Sequence, residues 1–345
     1  MAKSAIVGFG RYVPRLRIKT ETIAAHWQQD AKQMASALGV QQKSVPDRGE
    51  DSFTMAFEAA KQAIDLATIK STQISAIFVG SESHPYAVKP TSAMLASALE
   101  LDPYCHCADL EFACKAGTAG VQIVDAFIRS GQIDHGMAIG TDAAQGHPGD
   151  ALEYTAAAGA AAFILGSEKA RNALCTIDRT LSFTTDTPDF WRGNKETYPH
   201  HAGRFTGEPG YFHHVRTALT GILETAKIKI TDIDHIVLHM PNAKFPLAMA
   251  KELGITPAQL EHSLIVPHIG NTYSACSPLG LTFVLEQAKK GETILLVSYG
   301  SGSGSDAFLM TMLRDGITLP PDQREIEYLD YARYLEHSHA LSPRS

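Results

Sequence analysis

A chain of 345 residues, 44% hydrophobic and 19% charged, has room for about two ordinary domains, each with its own core. Its formal net charge of -7 speaks against a general nucleic-acid binder, though a local basic patch could still meet a phosphate-bearing ligand. No apolar run reaches the roughly 18 residues that span a bilayer, and Met1-Ala2-Lys3-Ser4 runs into strand-like sequence without a signal-peptide core; no membrane contact is expected, and the expected compartment is cytoplasmic.

In chain order, Ala5-Ile6-Val7-Gly8-Phe9-Gly10 predicts a short strand, followed by helices over residues 19–38 and 51–66. In the second of these, Phe53, Phe57, Ala60 and Ile64 repeat at helical spacing. Residues 42–47 between them read as loop. Residues 74–80 form an uncharged strand that delivers Ser81-Glu82-Ser83-His84-Pro85 at its carboxyl end, where ligands bind in α/β sheets. Glu82 is therefore a candidate acid or base, or else a solvated loop carboxylate. A helix near residues 92–101 leads to a buried strand over residues 104–110 and then to Cys114.

Cys114 stands where that strand gives way to a helix beginning in Ala116-Gly117-Thr118-Ala119-Gly120. Free backbone N–H groups and the positive helix end favour a thiolate there. The competing reading is an inert, buried small hydrophobe. Neighbouring Lys115 either lowers the thiol pKa further or points to solvent. A strand over residues 135–140 leads into Thr141-Asp142, and a small-residue stretch over residues 155–161 opens the next strand. Alternating strands and helices predict a layered α/β fold.

The second half repeats the plan. Ala113-Cys114, a helix, a strand and Gly140 are matched by Ala275-Cys276, a helix, a strand and Gly300, with 26 residues from 114 to 140 and 24 from 276 to 300. The strand over residues 76–80 is echoed over residues 235–239. Two copies about a pseudo-twofold would bring their strand ends to one site, with the join near residues 168–173. Residues 186–209 carry aromatics, arginines and turn formers without a period, as in an ordered binding loop or a surface excursion. His239 ends a strand just before Met240-Pro241. Asn271 precedes the second Ala-Cys helix, and its amide could donate to a carbonyl oxygen. The glycine-rich run Ser298-Tyr299-Gly300-Ser301-Gly302 lacks the lysine of a nucleotide loop and suits an oxyanion donor better. The five cysteines (105, 107, 114, 175 and 276) and fifteen histidines show no disulfide or metal pattern.

Cys, His and Asn at equivalent strand ends of a duplicated α/β fold resemble the thiolase-like condensing enzymes. More specifically, the chain resembles the hydroxymethylglutaryl-CoA synthases of the shorter archaeal type over nearly its whole length. The resemblance rests on residues 80–90, 111–117, 186–191 and 201–209, on His239-Met240-Pro241, on Gly270-Asn271-Thr272-Tyr273 and on residues 298–302. It implies a thiolase-like fold of two duplicated βαβ-rich halves, 1–170 and 171–345, in layers α-β-α-β-α. It also implies condensation of acetyl-CoA with acetoacetyl-CoA and water through an acetyl-cysteine, in the mevalonate pathway.

Carried over by position, Cys114 is the nucleophile and Glu82 the base, while His239 and Asn271 orient the second thioester. The backbone N–H groups of Cys114 and Ser301 hold the oxyanion. Thr155 and Thr206 meet the acyl group, and Arg204 and Lys244 the CoA phosphates. Neither a cofactor nor a metal is implied, since the coenzyme A thioesters are substrates. The implied partners are a second copy of the chain, an acetoacetyl-CoA thiolase and a zinc-containing OB-fold protein. Glu82 separates this reading from a ketoacyl synthase III-like acyltransferase, which needs no such base, and the complete residue set separates it from a non-catalytic scaffold relative. Cys276 matches a structural position of the second repeat rather than a second catalytic cysteine.

Overall fold

The computed structural model describes residues 3–144 and 146–338; Met1, Ala2, Gln145 and residues 339–345, the end of the second predicted half, lie outside them. Five strands come from the first part of the chain: β1 (Ser4–Tyr12), β2 (Ala76–Gly80), β3 (His106–Leu110), β4 (Gly136–Ala143) and β5 (Ala158–Ser167). Four come from the second: β6 (Cys175–Thr184), β7 (His235–Leu238), β8 (Thr293–Val297) and β9 (Gly304–Met312). They form one ladder in the order β7-β8-β9-β6-β1-β5-β4-β2-β3. β2 runs parallel to β3 and β4, β7 runs parallel to β8, and the other pairings are antiparallel. Read outward from the β1–β6 seam, where Ser4, Ala5 and Ile6 face Ile177, Thr176 and Cys175, the two sides present the same succession of strands. Only the first side carries an extra strand, β3.

The helices are α1 (Ser52–Ala67), α2 (Thr91–Ala98), α3 (Ala116–Ser130), α4 (Phe212–Ala226), α5 (Lys244–Leu253) and α6 (Cys276–Gln287). Helix α1 starts in a capping box between Asp51 and Thr54 and buries Met55, Ala56, Ala59, Ala60 and Ala63 against the first set of strands. Helices α4 and α5 cover the second set. Between them lie α3 and α6. Their Val124, Ile128, Leu279 and Val284 share one core with Phe78 and Phe163 from one side and Ile177 and Phe308 from the other. Helix α6 buries every residue from Cys276 to Thr282, then Val284 and Leu285, as its place between two layers requires, and only Phe283 and its last turn, with Glu286 and Gln287, reach the surface. The result is the layered thiolase-like α-β-α-β-α order expected from the sequence.

The two repeats meet tightly at their helix starts. A Cβ on Gly140, near the end of β4, would lie 2.3 Å from the carbonyl oxygen of Ser274, so only glycine lets the backbones approach. Residues 168–174 connect β5 to β6, and we propose a division into two halves there, near residue 170.

Several local expectations change. The helix predicted over residues 19–38 is broken into two short ones, Thr20–His26 and Ala31–Leu38, the second capped by the Asp30 side chain, and a strand, Leu16–Lys19, precedes them. The predicted loop at 42–47 contains the strand Gln42–Val45, which pairs with Leu16–Lys19, and Glu327–Tyr328 adds a third member. Partners this distant leave no local period in the sequence. Lys115 neither faces solvent nor reaches toward the thiol. It is buried, with Nζ 3.0 and 3.1 Å from the carboxylate oxygens of Asp306 on β9 and 3.8 Å from the Phe112 ring centroid. Asp306 also accepts the hydroxyls of Thr118 and Ser182. This ion pair ties the nucleophile turn to the second repeat. Removing one member strands a buried charge, so Lys115→Met is expected to lower unfolding free energy by about 3 to 5 kcal/mol, measured by denaturant titration, with Lys115→Met/Asp306→Leu recovering much of the loss.

Candidate active site

Cys114 sits two residues before α3 on a turn held in a rare conformation, since Ala113 adopts a φ of 42° without being glycine. The thiol is buried, and Sγ donates to Oε1 of Glu82 at 3.2 Å. Glu82 follows β2 and is fixed through its backbone at both ends. Its N–H donates to Oδ1 of Asp142 at 2.8 Å, and its carbonyl accepts from Nη2 of Arg192 at 2.9 Å. Asp142, fully buried at the end of β4, also accepts the hydroxyls of Ser81 and Ser83 on Oδ1 and the Ser274 N–H on Oδ2.

Burial first, and then the Asp142 carboxylate, push the Glu82 carboxyl up to about 8, against weaker lowering by the Cys114 hydrogen bond and Arg192. Burial, followed by Glu82, pushes the Cys114 thiol well above its ordinary range. The helix-end thiolate expected from the sequence is thus corrected. In the resting site the low dielectric outweighs the helix terminus, and the thiol keeps its proton beside a carboxyl that can take it only once ionised.

Across a cavity of about 230 Å3, Cys114 faces Thr155, Thr206, His239, Asn271, Tyr273 and Ser301. His239 follows β7, and its Nδ1 is buried without a hydrogen-bond partner among the described residues. Burial lowers its imidazole to about 3, so it is neutral at neutral pH. The Asn271 backbone bonds to Thr155 O and Ala157 N, its Oδ1 accepts the Tyr273 N–H at 3.0 Å, and the residue lines the cavity. The loop bearing Ser301 lies directly on the nucleophile turn. A Cβ on Gly300 would come within 2.7 Å of the Phe112 carbonyl oxygen. Asp189 anchors that loop by accepting the Gly302 N–H on Oδ1 and the Tyr299 hydroxyl on Oδ2, each at 2.8 Å.

The structure therefore gathers Cys114, His239, Asn271, Ser301, Thr155 and Thr206 on one cavity, while Glu82 touches the thiol and itself lines a neighbouring cavity with Ser83, Arg192 and Tyr198. Thr206 presents a buried hydroxyl without a partner among the described residues. Arg204 and Lys244 do not line the cavity. Both are exposed at its rim, beside the lining residues Gly203 and Phe245. Cys276 lies outside the cavity, its Sγ accepting the Met240 N–H at 3.4 Å and its thiol pushed up to about 12 by burial. The sequence reading did not single out Asp142, Asp189, Tyr273 and Arg192. Asp142 could have been found by the strand-end rule that found Glu82; the other three depend on contacts between distant loops.

The model of the 3-oxoacyl-[acyl-carrier-protein] synthase III C-terminal region matches residues 223–312. The chain is 51% identical over 339 residues to the hydroxymethylglutaryl-CoA synthase of Archaeoglobus fulgidus, covering 96% of this chain and 97% of that one. It is 50% identical over 341 residues to the enzyme of that name from Methanocaldococcus jannaschii, covering 96% and 98%. The chain belongs to the hydroxymethylglutaryl-CoA synthase family. Among solved structures, an HMG-CoA synthase complexed with CoA superposes with a TM-score of 0.87 at 22% identity, covering 97% of this chain and 90% of that one. The 3-oxoacyl-(acyl carrier protein) synthase III of Pseudomonas aeruginosa follows at 0.80 and 21%, covering 92% and 100%. Both share the fold.

The coupled Cys114–Glu82 pair sets a pH dependence. With both groups protonated there is no base. As pH rises through about 8 the pair loses one proton, and the site becomes competent. For this family member kcat/KM for the acyl donor is expected to rise about tenfold per pH unit below that value and to level off above it. The pH profile checks this, and a limb unchanged in Glu82→Gln would assign the titration elsewhere.

Proposed function

We propose that this cavity condenses acetyl-CoA with acetoacetyl-CoA and water to give 3-hydroxy-3-methylglutaryl-CoA and CoA, with the residue roles that follow. The observation that carries the assignment is the 3.2 Å contact between Cys114 Sγ and Glu82 Oε1. One carboxyl can serve the nucleophile and then the acyl group attached to it.

Glu82 accepts the thiol proton as Sγ attacks the acetyl carbonyl, and the backbone N–H groups of Cys114 and Ser301 bind the developing oxyanion. The proton passes to the departing CoA thiolate, which leaves an acetyl-cysteine and an ionised Glu82. The acetyl methyl is now the nearest acid, and its raised pKa makes Glu82 a stronger base than a solvated glutamate. The resulting carbon nucleophile adds to the ketone of acetoacetyl-CoA. Neutral His239 and the Asn271 amide orient that ketone and its thioester, and the new alkoxide receives the proton that Glu82 took from the methyl, which returns Glu82 to its ionised form. Water then cleaves the thioester bond to Cys114 and restores the thiol. Thr155 and Thr206 bound the acyl groups, and exposed Arg204 and Lys244 meet the CoA phosphates outside the cavity.

The same reading includes a mevalonate-pathway role, no cofactor and a cytoplasmic setting; five free cysteines fit a reducing compartment. A homodimer is supported by β3, an edge strand paired on one side only, with exposed Tyr86, Val88 and Tyr104 nearby. An acetoacetyl-CoA thiolase and a zinc-containing OB-fold protein complete the proposed assembly.

The test is an assay of product formed from the two thioesters. Glu82→Gln is expected to lower kcat by about 10^2 to 10^4, the range of general base catalysis, with the KM for acetyl-CoA changed little. Activity retained in Glu82→Gln with a malonyl donor would instead support the ketoacyl synthase III-like reading, and its absence with every donor in wild type the scaffold reading. Arg204→Ala and Lys244→Ala are expected to raise KM several-fold at unchanged kcat, with the effect shrinking as salt increases.

A further inference from the structure

Two cavities meet at the Cys114–Glu82 contact. Cys114 lines the catalytic one, while Glu82 lines a second, of about 190 Å3, with Ser83, Ala143, Arg192, Tyr198 and Tyr273. Among the described residues only Tyr273 borders both. The thiol and the carboxyl that touches it therefore open in different directions. Exposure agrees with this: Cys114 is 3% exposed, whereas Glu82 keeps part of its surface, and no hydrogen bond among the described residues occupies its Oε2.

One hairpin borders both spaces. The short strands Phe190–Trp191 and His200–His201 pair antiparallel, with Phe190 opposite His201. Those two residues line the catalytic cavity, and Arg192, Thr197, Tyr198 and Pro199 of the connecting turn line the second. Arg192 pins the turn by donating to the Glu82 carbonyl at 2.9 Å, and His201 Nε2 lies 3.1 Å from Asp150 Oδ1. Arg192 and Thr197 are exposed, so the second cavity meets bulk solvent. It has room for several waters, at roughly 30 Å3 each, and carboxyl, hydroxyl and guanidinium groups around it to hold them. Tyr273 stands as the wall between. It is 3% exposed, packs in one cluster with Cys114 and Ala144, and holds a φ of 51° that a non-glycine residue adopts only under constraint.

The reaction proposed above, on which this inference rests, ends in hydrolysis while the second thioester is still joined to Cys114 through the new carbon skeleton. Its coenzyme A portion then occupies the catalytic cavity and rim, which closes that side to water. We propose that the second cavity delivers the water that hydrolyses the Cys114 thioester, entering beside Glu82, and that Tyr273 is the positioning residue that confines this water to the Glu82 side. The water oxygen bonds to the acyl carbon as the carbon–sulfur bond breaks. Ionised Glu82 takes the proton from water and returns it to Sγ, and the carboxylic acid formed loses its proton to solvent.

The test is a single-turnover reaction of the acetylated full chain with acetoacetyl-CoA, quenched at intervals and read by mass spectrometry. Ala143→Leu fills the second cavity from a position that borders it and not the catalytic one. It is expected to acetylate and condense as wild type does but to hydrolyse at least tenfold more slowly, so that a hydroxymethylglutaryl-CoA adduct accumulates on Cys114. Release of product at the wild-type rate without that adduct would overturn the water route alone. A wild type that never acetylates Cys114 would overturn the reaction itself. Should Ala143→Leu fail to fold by circular dichroism, Tyr273→Ala carries the test: CoA released per hydroxymethylglutaryl-CoA formed is expected to rise several-fold as water reaches the acetyl-cysteine, with Tyr273→Phe, which keeps the ring, restoring the wild-type ratio. An unchanged ratio in Tyr273→Ala would overturn the proposal.

Discussion

The buried carboxylate of Asp142 is the point on which the rest of the site is registered. One of its oxygens accepts from Ser81, Glu82 N–H and Ser83, and the other accepts the N–H of Ser274 from the opposite repeat. A carboxylate this deep is tolerated only because its lone pairs are filled. It therefore fixes the loop that aims Glu82 and the helix start of the second repeat at the same time. Its charge also lies close to Glu82 and helps hold that carboxyl protonated until a proton can be passed on.

The duplicated fold explains why these groups meet at all. The loops bearing Glu82, Cys114, His239 and Ser301 follow strands of the two repeats, and the β1–β6 seam with the central helices α3 and α6 fixes how the repeats face each other. Two close approaches, Gly140 on Ser274 and Gly300 on Phe112, remove the space that side chains would occupy. The Lys115–Asp306 pair closes the same junction from behind the nucleophile. What remains is a small cavity lined by the thiol and the imidazole, with the carboxyl against the thiol, and all three are biased toward their neutral forms by burial. Charge then develops during the reaction, against fixed donors, rather than persisting in the resting site.

Much of this was legible in the sequence because strand ends are marked by abrupt changes of composition. Glu82 and His239 each follow an uncharged run, Cys114 follows a strand and precedes a run of small residues, and the matched spacing around Cys114 and Cys276 exposed the repeat. The protonation state of Cys114 was not legible, since helix-end position argues for a thiolate while burial, which decides the outcome, appears only in three dimensions. Lys115 misled for the same reason: its partner Asp306 is 191 positions away. The small sheet of Leu16–Lys19, Gln42–Val45 and Glu327–Tyr328 was missed because a pairing between the two ends of the chain leaves no periodic trace. Arg204 and Lys244 came from resemblance alone and stand at the rim, where long flexible cations carry little geometric signature.

The central claim is that one carboxyl, Glu82, turns an acetylated Cys114 into a carbon nucleophile. The most direct measurement is mass spectrometry of the protein quenched after brief exposure to acetyl-CoA and again after addition of acetoacetyl-CoA, in wild type and Glu82→Ala. The account expects wild type to acquire an acetyl group on Cys114 and to lose it as hydroxymethylglutaryl-CoA forms, while any adduct on Glu82→Ala persists without product. Condensation at the wild-type rate in Glu82→Ala, or no adduct on Cys114 in wild type, would contradict it.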